Sequence, residues 1–310
     1  MKREYGLDQI TRDPASMVTV GTFDGVHRGH QVLIRYLIER ARSHGGRSVV
    51  VSFDPHPREV VRGEAVPLLT TIDERAELCE QLGLDRFIVI PFTHAFSRLG
   101  AAEFVEQILV GRIGMQEVVV GYDHGFGHNR EGGHALLEDL GRRLGFAVHV
   151  IPAQIVEQEV VSSTEIRRAL EAGDVRTAAA LLGRRYSFDG IVVEGDRRGR
   201  TIGFPTANLR PTHPRKILPR PGVYAVRVRL PEGGWRGGMM NLGQRPTFDG
   251  TGLRPEVHLF EFEGELYGRQ LRVEFVERLR DERRFASLEG LVEQLSRDRV
   301  RSLDVLDTVS

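Results

Sequence analysis

The chain has 310 residues, 40% of them apolar and 28% charged, with 43 basic against 43 acidic side chains and a formal net charge of +0. This length exceeds one ordinary domain of about 100–200 residues, so two cores are expected. The charge balance argues against a nucleic-acid partner, which calls for a basic excess to neutralise phosphates. Lys2 and Lys216 are the only lysines. No GxxxxGKS/T loop is therefore present, and phosphate recognition falls to arginines, backbone N–H groups and histidines. Cys79 is the single cysteine, which rules out an internal disulfide. The helical pattern over Glu74–Leu84 makes it an inert, half-buried thiol. There is no N-terminal charged-then-apolar signal and no apolar run of spanning length, so no membrane association and a cytoplasmic location are expected.

In chain order, Met17–Phe23 is a β-rich run that ends at a glycine turn and is followed by a helical pattern over Gln31–Ser43. Further strands are predicted at Ser48–Phe53, Phe87–Pro91, Glu117–Gly121 and Ala147–Pro152. Helices are predicted between them at Ile72–Leu82, Ala101–Arg112 and Gly133–Leu144. Continuous apolar strands alternating with amphipathic helices predict an α/β domain built on a parallel sheet. After about Tyr186 the runs shorten: Gly190–Glu194, Val223–Leu230, Trp235–Leu242, Glu256–Phe262 and Leu271–Phe275, closely punctuated by glycine and proline. That pattern predicts a small antiparallel barrel or sandwich. Leu288, Leu291 and Leu295 then form one face of a closing helix over Ser287–Leu306. The boundary is placed in the helical segment Ser163–Leu182, giving domains 1–183 and 184–310.

Within Gly21–His30, GTFDGVHRGH, a strand runs through glycines into a helix start, a combination that brings backbone N–H groups and a positive dipole end to an anion. His27 and His30 are three apart and fall on one face of the first turn. Two imidazoles there can donate to phosphate oxygens that gain charge during attack at phosphorus. Asp24 is read as a helix cap in preference to a metal contact. Val161–Leu170, VSSTEIRRAL, starts a second helix in the same manner, with Ser162 or Ser163 as cap and Thr164 and Arg167 in its first turn. Ser52–Pro57, SFDPHP, and Gly121–Gly133, GYDHGFGHNREGG, follow strands and should lie at the carboxyl edge of the sheet, where ligands bind. Phe53 offers a stacking surface, Pro55 stiffens its loop, and Asp123 is either a turn residue or a ligand contact.

Together GTFDGVHRGH, SFDPHP, VVVGYD-GFG-N-REG and VSSTEIR resemble the adenylyltransferase module of prokaryotic bifunctional riboflavin kinase/FAD synthetases, members of the HxGH nucleotidyltransferases. The resemblance implies that His27 and His30 contact ATP phosphates, with Gly21, Phe23, Asp24 and Asp123 among the ATP or metal-site positions. It implies a second phosphate motif in Ser162, Ser163, Thr164 and Arg167, and a flavin-holding loop in Phe53, Pro55 and His56. Where the family often reads Asp-Phe-Arg-Phe-Gly or Asn-Phe-x-Phe-Gly, this chain has Asp-His-Gly-Phe-Gly, with Gly125 at the position of the arginine.

In the second half, GDRRGRTIGFPTANL carries Gly195, Gly199 and Gly203 in a flexible arginine-bearing loop able to wrap phosphates through backbone N–H groups. Thr206 and Asn208 alternate with Ala207, so an extended segment turns both to one face as a platform of hard oxygens for Mg²⁺. Glu256, read as the start of the strand EVHLFEF, is a carboxylate able to take the proton of an attacking hydroxyl. These segments, with PGVYAV, NLGQRPTF and LRDERRF, resemble the kinase module of the same family. That likeness implies Mg²⁺–ATP at Thr206 and Asn208, with Pro205 in the ATP loop, and Glu256 as base. It also implies that Arg280–Phe285 closes over riboflavin, with Arg280 and Phe285 as flavin contacts. The resemblance implies a bifunctional enzyme that phosphorylates riboflavin to FMN and adenylylates FMN to FAD, using ATP and Mg²⁺. Assembly is expected to be that of a monomer or weak homo-oligomer. A chain with only its kinase active and a flavin sensor without turnover are the rival readings, and GFPTAN with Glu256 argues against the sensor.

Overall fold

The computed structural model describes residues 1–308 except 123–124, 128–130, 157–158, 196–197 and 245–251. Its contacts divide the chain into two compact units, Met1–Ser163 and Thr164–Ser310.

The first unit runs β1 (Lys2–Tyr5), β2 (Ser16–Val20), α1 (Arg28–Ser43), β3 (Arg47–Asp54), α2 (Pro57–Arg62), α3 (Ile72–Gln81) and β4 (Arg86–Pro91). It continues with α4 (Ala101–Glu103), which passes into a π-helical stretch over Phe104–Ile113, then β5 (Met115–Gly121), α5 (His134–Leu144) and β6 (Ala147–Ile151). The short pair β7 (Ile155–Val156) and β8 (Glu159–Val160) precedes α6 (Ser163–Ala172). The sheet order is β1-β4-β3-β2-β5-β6, and each neighbouring pair is parallel. Both faces of the sheet are covered. Val18, Val20, Val49 and Val51 pack on the side of Phe104, Leu109 and Leu140, while Met17 and Val50 pack on the side of Ile34, Leu37 and Cys79. Burial on both faces is why these strands read as unbroken apolar runs, without polar alternation. Because β3 lies on one side of β2 and β5 on the other, the order of crossovers reverses at β2, and a crevice opens at its carboxyl end.

In the second unit α6 leads to α7 (Val175–Leu182), β9 (Ser187–Val193), α8 (Arg198–Thr201), β10 (Ala207–Pro211), β11 (Gly222–Arg229), β12 (Trp235–Gln244), β13 (Leu253–Leu259), β14 (Gln270–Arg280) and α9 (Leu288–Asp307). The strands close as β10-β13-β12-β11-β14-β9, antiparallel throughout. Phe188, Tyr224, Val257, Val273 and Phe275 fill the interior at full or nearly full burial. Helix α9 lays Leu306, with Val292 and Leu295, over the outer face at Met239 and Phe260.

Several local expectations change. Helix α1 starts at Arg28, and its cap is His27, whose ring nitrogen accepts the His30 backbone N–H. Asp24 does not cap it, since that carboxylate faces another loop. Strand β13 starts at Leu253, so Glu256 lies in its middle. Pro255 fits there because β10 pairs with β13 only at Val257 and Glu256, and a missing N–H costs little where one side has no ladder partner. The expected α-helix over Ala101–Arg112 is α-helical only to Glu103, and β1 and α2 carried too little periodicity to be foreseen. The division between compact units falls at the beginning of the helical segment Ser163–Leu182.

Candidate active sites

In the first unit the turn after β2 is strained and heavily tied. Phe23 and Val26 hold φ of 49° and 40°, values that side chains other than glycine adopt only where the surroundings enforce them. The enforcement comes from buried hydrogen bonds. The Asp24 carboxylate accepts the Leu69 N–H at 3.1 Å, the Thr70 N–H at 2.9 Å and the Thr70 hydroxyl at 3.1 Å. Gly25 N–H donates back to the Thr70 hydroxyl at 2.8 Å. Asp24 thus staples two loops from a fully buried position.

The two histidine rings stack, their centroids 3.6 Å apart, and Phe23 meets His30 edge-on at 5.0 Å. Gly29 makes this possible, because a Cβ there would lie 3.3 Å from the His27 ring. Since His27 Nδ1 accepts the His30 N–H at 3.3 Å, the neutral ring carries its proton on Nε2. His30 Nδ1 is buried with no hydrogen-bond partner among the described residues. Burial first, then His27 and Arg75, hold the His30 pKa well below 6.5, so near neutrality this ring donates without carrying charge.

A stability effect follows from that depression. The unfolded chain takes up this proton near 6.5, the folded chain only at lower pH, so the contribution is intact above 6.5 and is lost as pH falls below it. The thermal midpoint of the first unit is expected to fall from pH 6.5 downward, and to fall less steeply in His30→Asn. Parallel midpoint-against-pH curves for the two proteins would show that His30 is not the titrating group.

Arg75 was not expected at this site. It projects from α3 into the core and is 2% exposed, with one guanidinium nitrogen donating to the Thr22 carbonyl at 2.8 Å and another to the Thr70 carbonyl at 3.3 Å. A buried cation beside Asp24 braces both loops at their carbonyls. An arginine at the helix position next to Ala76 and one turn before Cys79, where an apolar residue belongs, was the available signal.

Ser163, the last residue of the first unit, reaches the same turn. Ser163 donates its hydroxyl to the Asp24 carbonyl at 2.8 Å, Ser162 is half-buried, Thr164 is exposed, and Arg167, in the second turn of α6, is half-buried. Gly21 lies under the Phe23 ring. Phe53, at the end of β3, joins Phe92, Phe96 and Phe104 with centroids 5.4, 6.0 and 6.5 Å away, an aromatic wall at the carboxyl edge. Pro55 is exposed, and His56 caps α2 by accepting the Arg58 N–H at 3.1 Å. Asp123 and His124 lie outside the described residues. Cys79 is buried, and burial pushes its thiol up to about 12, which keeps it protonated and unreactive.

In the second unit, register places Asn208 directly opposite Glu256. Opposed residues of antiparallel strands share a face, and this face is the outer one, since neighbouring Val257 points into the fully buried interior. Among the described residues no hydrogen bond or ion pair engages the Thr206 hydroxyl, the Asn208 carboxamide or the Glu256 carboxylate. Gly195 is required here, because a side chain on it would collide with the Asn208 carboxamide; Gly199 likewise passes against the Phe204 carbonyl with Thr206 beside it. Gly203 has φ of +82° in the turn before Phe204 and the exposed Pro205. His258 fixes this loop: its Nδ1 lies 2.8 Å from the Pro205 carbonyl, and Phe204 meets its ring edge-on at 5.3 Å. Burial lowers the His258 pKa, and Arg299 adds to the effect. The ring therefore anchors the loop as a neutral N–H donor. Arg280 is occupied elsewhere: its guanidinium pairs with the buried Asp298 of α9 at 2.7–3.0 Å. Phe285 lies half-buried beneath Arg280 and Arg283.

A parallel sheet with paired histidines at its switch point, joined to a closed barrel with an open carboxamide–carboxylate pair, defines the class: a nucleotidyltransferase-type sheet fused to a second transferase unit. The comparisons narrow it. A family model described as FAD synthetase matches residues 9–165 and one described as riboflavin kinase matches 182–306. The bifunctional riboflavin kinase/FMN adenylyltransferase of Pseudomonas fluorescens is 42% identical over 302 residues, covering 96% of each chain. The protein of the same description from Haemophilus influenzae is 39% identical over 282 residues, covering 91% of each. A crystal structure described as a macrolide-efflux protein of Streptococcus pneumoniae superposes with a TM-score of 0.88 at 32% identity, covering 97% of this chain and 98% of that one. No described helix here is long and apolar enough to cross a membrane. The chain belongs to the family of bifunctional riboflavin kinase/FMN adenylyltransferases.

Proposed function

We propose that the chain makes both flavin cofactors, its barrel phosphorylating riboflavin to FMN and its parallel-sheet unit adenylylating FMN to FAD. The observation that carries the reading is the Glu256 carboxylate, half-buried, opposite Asn208 and without a partner among the described residues.

In the kinase step the ribityl 5′-hydroxyl attacks the γ-phosphorus of ATP, its proton passes to the Glu256 carboxylate, and the bond to the departing ADP oxygen breaks. Catalysis of this kind is chiefly positioning and charge neutralisation. Thr206 and Asn208 fit Mg²⁺ brought in with ATP. A hydroxyl and an amide oxygen are neutral hard donors, suited to an ion that keeps waters and phosphate oxygens in its shell. The described residues hold no group of three His, Cys, Asp or Glu side chains arranged for a metal by themselves. When bound, Mg²⁺ supplies charge neutralisation at the phosphates.

In the adenylyl transfer an FMN phosphate oxygen attacks the α-phosphorus and pyrophosphate leaves. The nucleophile is already ionised near neutral pH and calls for no base. His27 and His30 donate to oxygens that gain charge, Ser162, Ser163, Thr164 and Arg167 are assigned the remaining phosphates and Gly21, Phe23 and Asp123 the rest of the ATP, while Asp24 shapes the turn through its buried bonds to Leu69 and Thr70. Phe53 supports the flavin ring from the aromatic wall, with Pro55 and His56 in the adjoining loop. Gly195, Gly199, Gly203 and Pro205 hold the kinase ATP, and Phe285 closes on the flavin while Arg280 anchors that segment to α9. The functional division falls at 183/184, and the protein acts in the cytoplasm as a monomer or weak homo-oligomer.

Purified protein given riboflavin, ATP and Mg²⁺ is expected to yield FMN, then FAD and pyrophosphate, and a chelator should stop both steps. FMN that accumulates without FAD removes the adenylyl half of this reading, and flavin bound without conversion removes both halves.

A further inference from the structure

We propose that Asn241 is a positioning residue of the kinase site, joining the strand that carries Glu256 to the segment after β14 that carries Glu282. The inference rests on the reading of Glu256 as the base. Asn241 of β12 lies directly opposite Glu256, as Asn208 of β10 does on the other side. With directly opposed Cβ atoms about 4.5–5.5 Å apart, the carboxylate stands in a row between two carboxamides. All three are on the outer face, because the alternating Leu242 and Val257 fill the interior and Met239, two positions before Asn241, packs beneath α9.

Asn241 Nδ2 donates to Glu282 Oε1 at 3.3 Å. Strand β12 leaves room for this contact, since a Cβ on Gly243 would lie 2.9 Å from that oxygen and 3.2 Å from Asn241 Nδ2. The residues around Glu282 are held to α9: Arg280 pairs with Asp298 and Arg283 with Gln294. The segment 280–285 is therefore fastened at two places, to α9 through its arginines and to the base's neighbour through Glu282. A carboxamide donating to Glu282 is held in one orientation, and that orientation fixes what it presents beside Glu256. Placement of the segment and placement of the base become a single event.

The test is a double-mutant cycle in the full chain. Asn241→Ala and Glu282→Ala are each expected to lower kcat/KM for riboflavin about tenfold, as loss of a charge-assisted hydrogen bond does. Residues acting through one contact are non-additive, so the double variant should be no worse than the worse single one. FAD formation from added FMN should be unchanged in all three. Asn241→Asp, which keeps the size and sets a carboxylate against Glu282, should lose as much as Asn241→Ala. If Asn241→Ala fails to fold, as a lowered thermal midpoint reports, Glu282→Ala at its exposed position and Gly243→Ala, which displaces the same carboxylate, carry the comparison. Losses that multiply in the double variant, or unchanged kcat/KM in Glu282→Ala, overturn the proposal. Turnover retained in Glu256→Gln overturns the assignment of the base instead, so the two failures are distinguishable.

Discussion

Glu256→Gln is expected to abolish measurable FMN formation while leaving FAD formation from added FMN intact. A positioned base contributes about 10²–10⁴-fold to such a transfer, and glutamine keeps the side chain's shape while removing its capacity to take a proton. The site makes the expectation strong. No described residue pairs with the carboxylate, so the substitution strands no buried cation, and the outer face on which it lies leaves the barrel interior untouched. Riboflavin binding, followed by quenching of flavin fluorescence in the presence of ADP and Mg²⁺, should therefore change little. The loss is expected in kcat. A variant that kept kcat and lost only affinity would show Glu256 to be a binding group.

His27→Asn is expected to slow adenylyl transfer by about 10²–10³-fold, the cost of removing one preorganised donor at developing charge, with kinase turnover unchanged. Asparagine is chosen because it keeps an oxygen able to cap α1, whereas alanine would add a loss of about 0.5–2 kcal/mol from the missing cap. The His27 ring is itself the cap, and Gly29 holds open the space in which it stacks on His30. Pyrophosphate release with FMN and ATP reads the effect directly. A rate within about threefold of the parent, less than any single oxyanion donor contributes, removes His27 from the chemistry.

Much of the candidate chemistry was legible because it is local. A strand, a glycine turn and a helix start occupy ten consecutive residues in GTFDGVHRGH, so the pairing of His27 with His30 needs no knowledge of the rest of the chain. Asn208 is legible for the same reason, as strand alternation alone sets it on the face opposite Ala207 and Leu209. Asp24 was misread because its partners, Leu69 and Thr70, are far away in sequence, and nothing in its own neighbourhood distinguishes a cap from a cross-loop staple. Arg75 is a similar case. Its acceptors are carbonyls of loops that only the packed sheet brings together. Arg280 looked like a ligand contact until helix α9 delivered Asp298 to its guanidinium.

Taken alone, the amino-acid sequence determined the two architectures, since burial on both faces demands unbroken apolar strands and a small barrel demands short alternating ones, and it determined the order of the glycine-bounded motifs. The tertiary structure decided what surrounds each of them. Glu256 gained meaning from its register, because pairing of β10, β13 and β12 sets Asn208 and Asn241 on either side of it. The opening histidines gained theirs from burial, which holds His30 neutral beside Arg75. Both depend on contacts between residues distant in the chain, and a one-dimensional pattern carries periodicity but neither register nor desolvation.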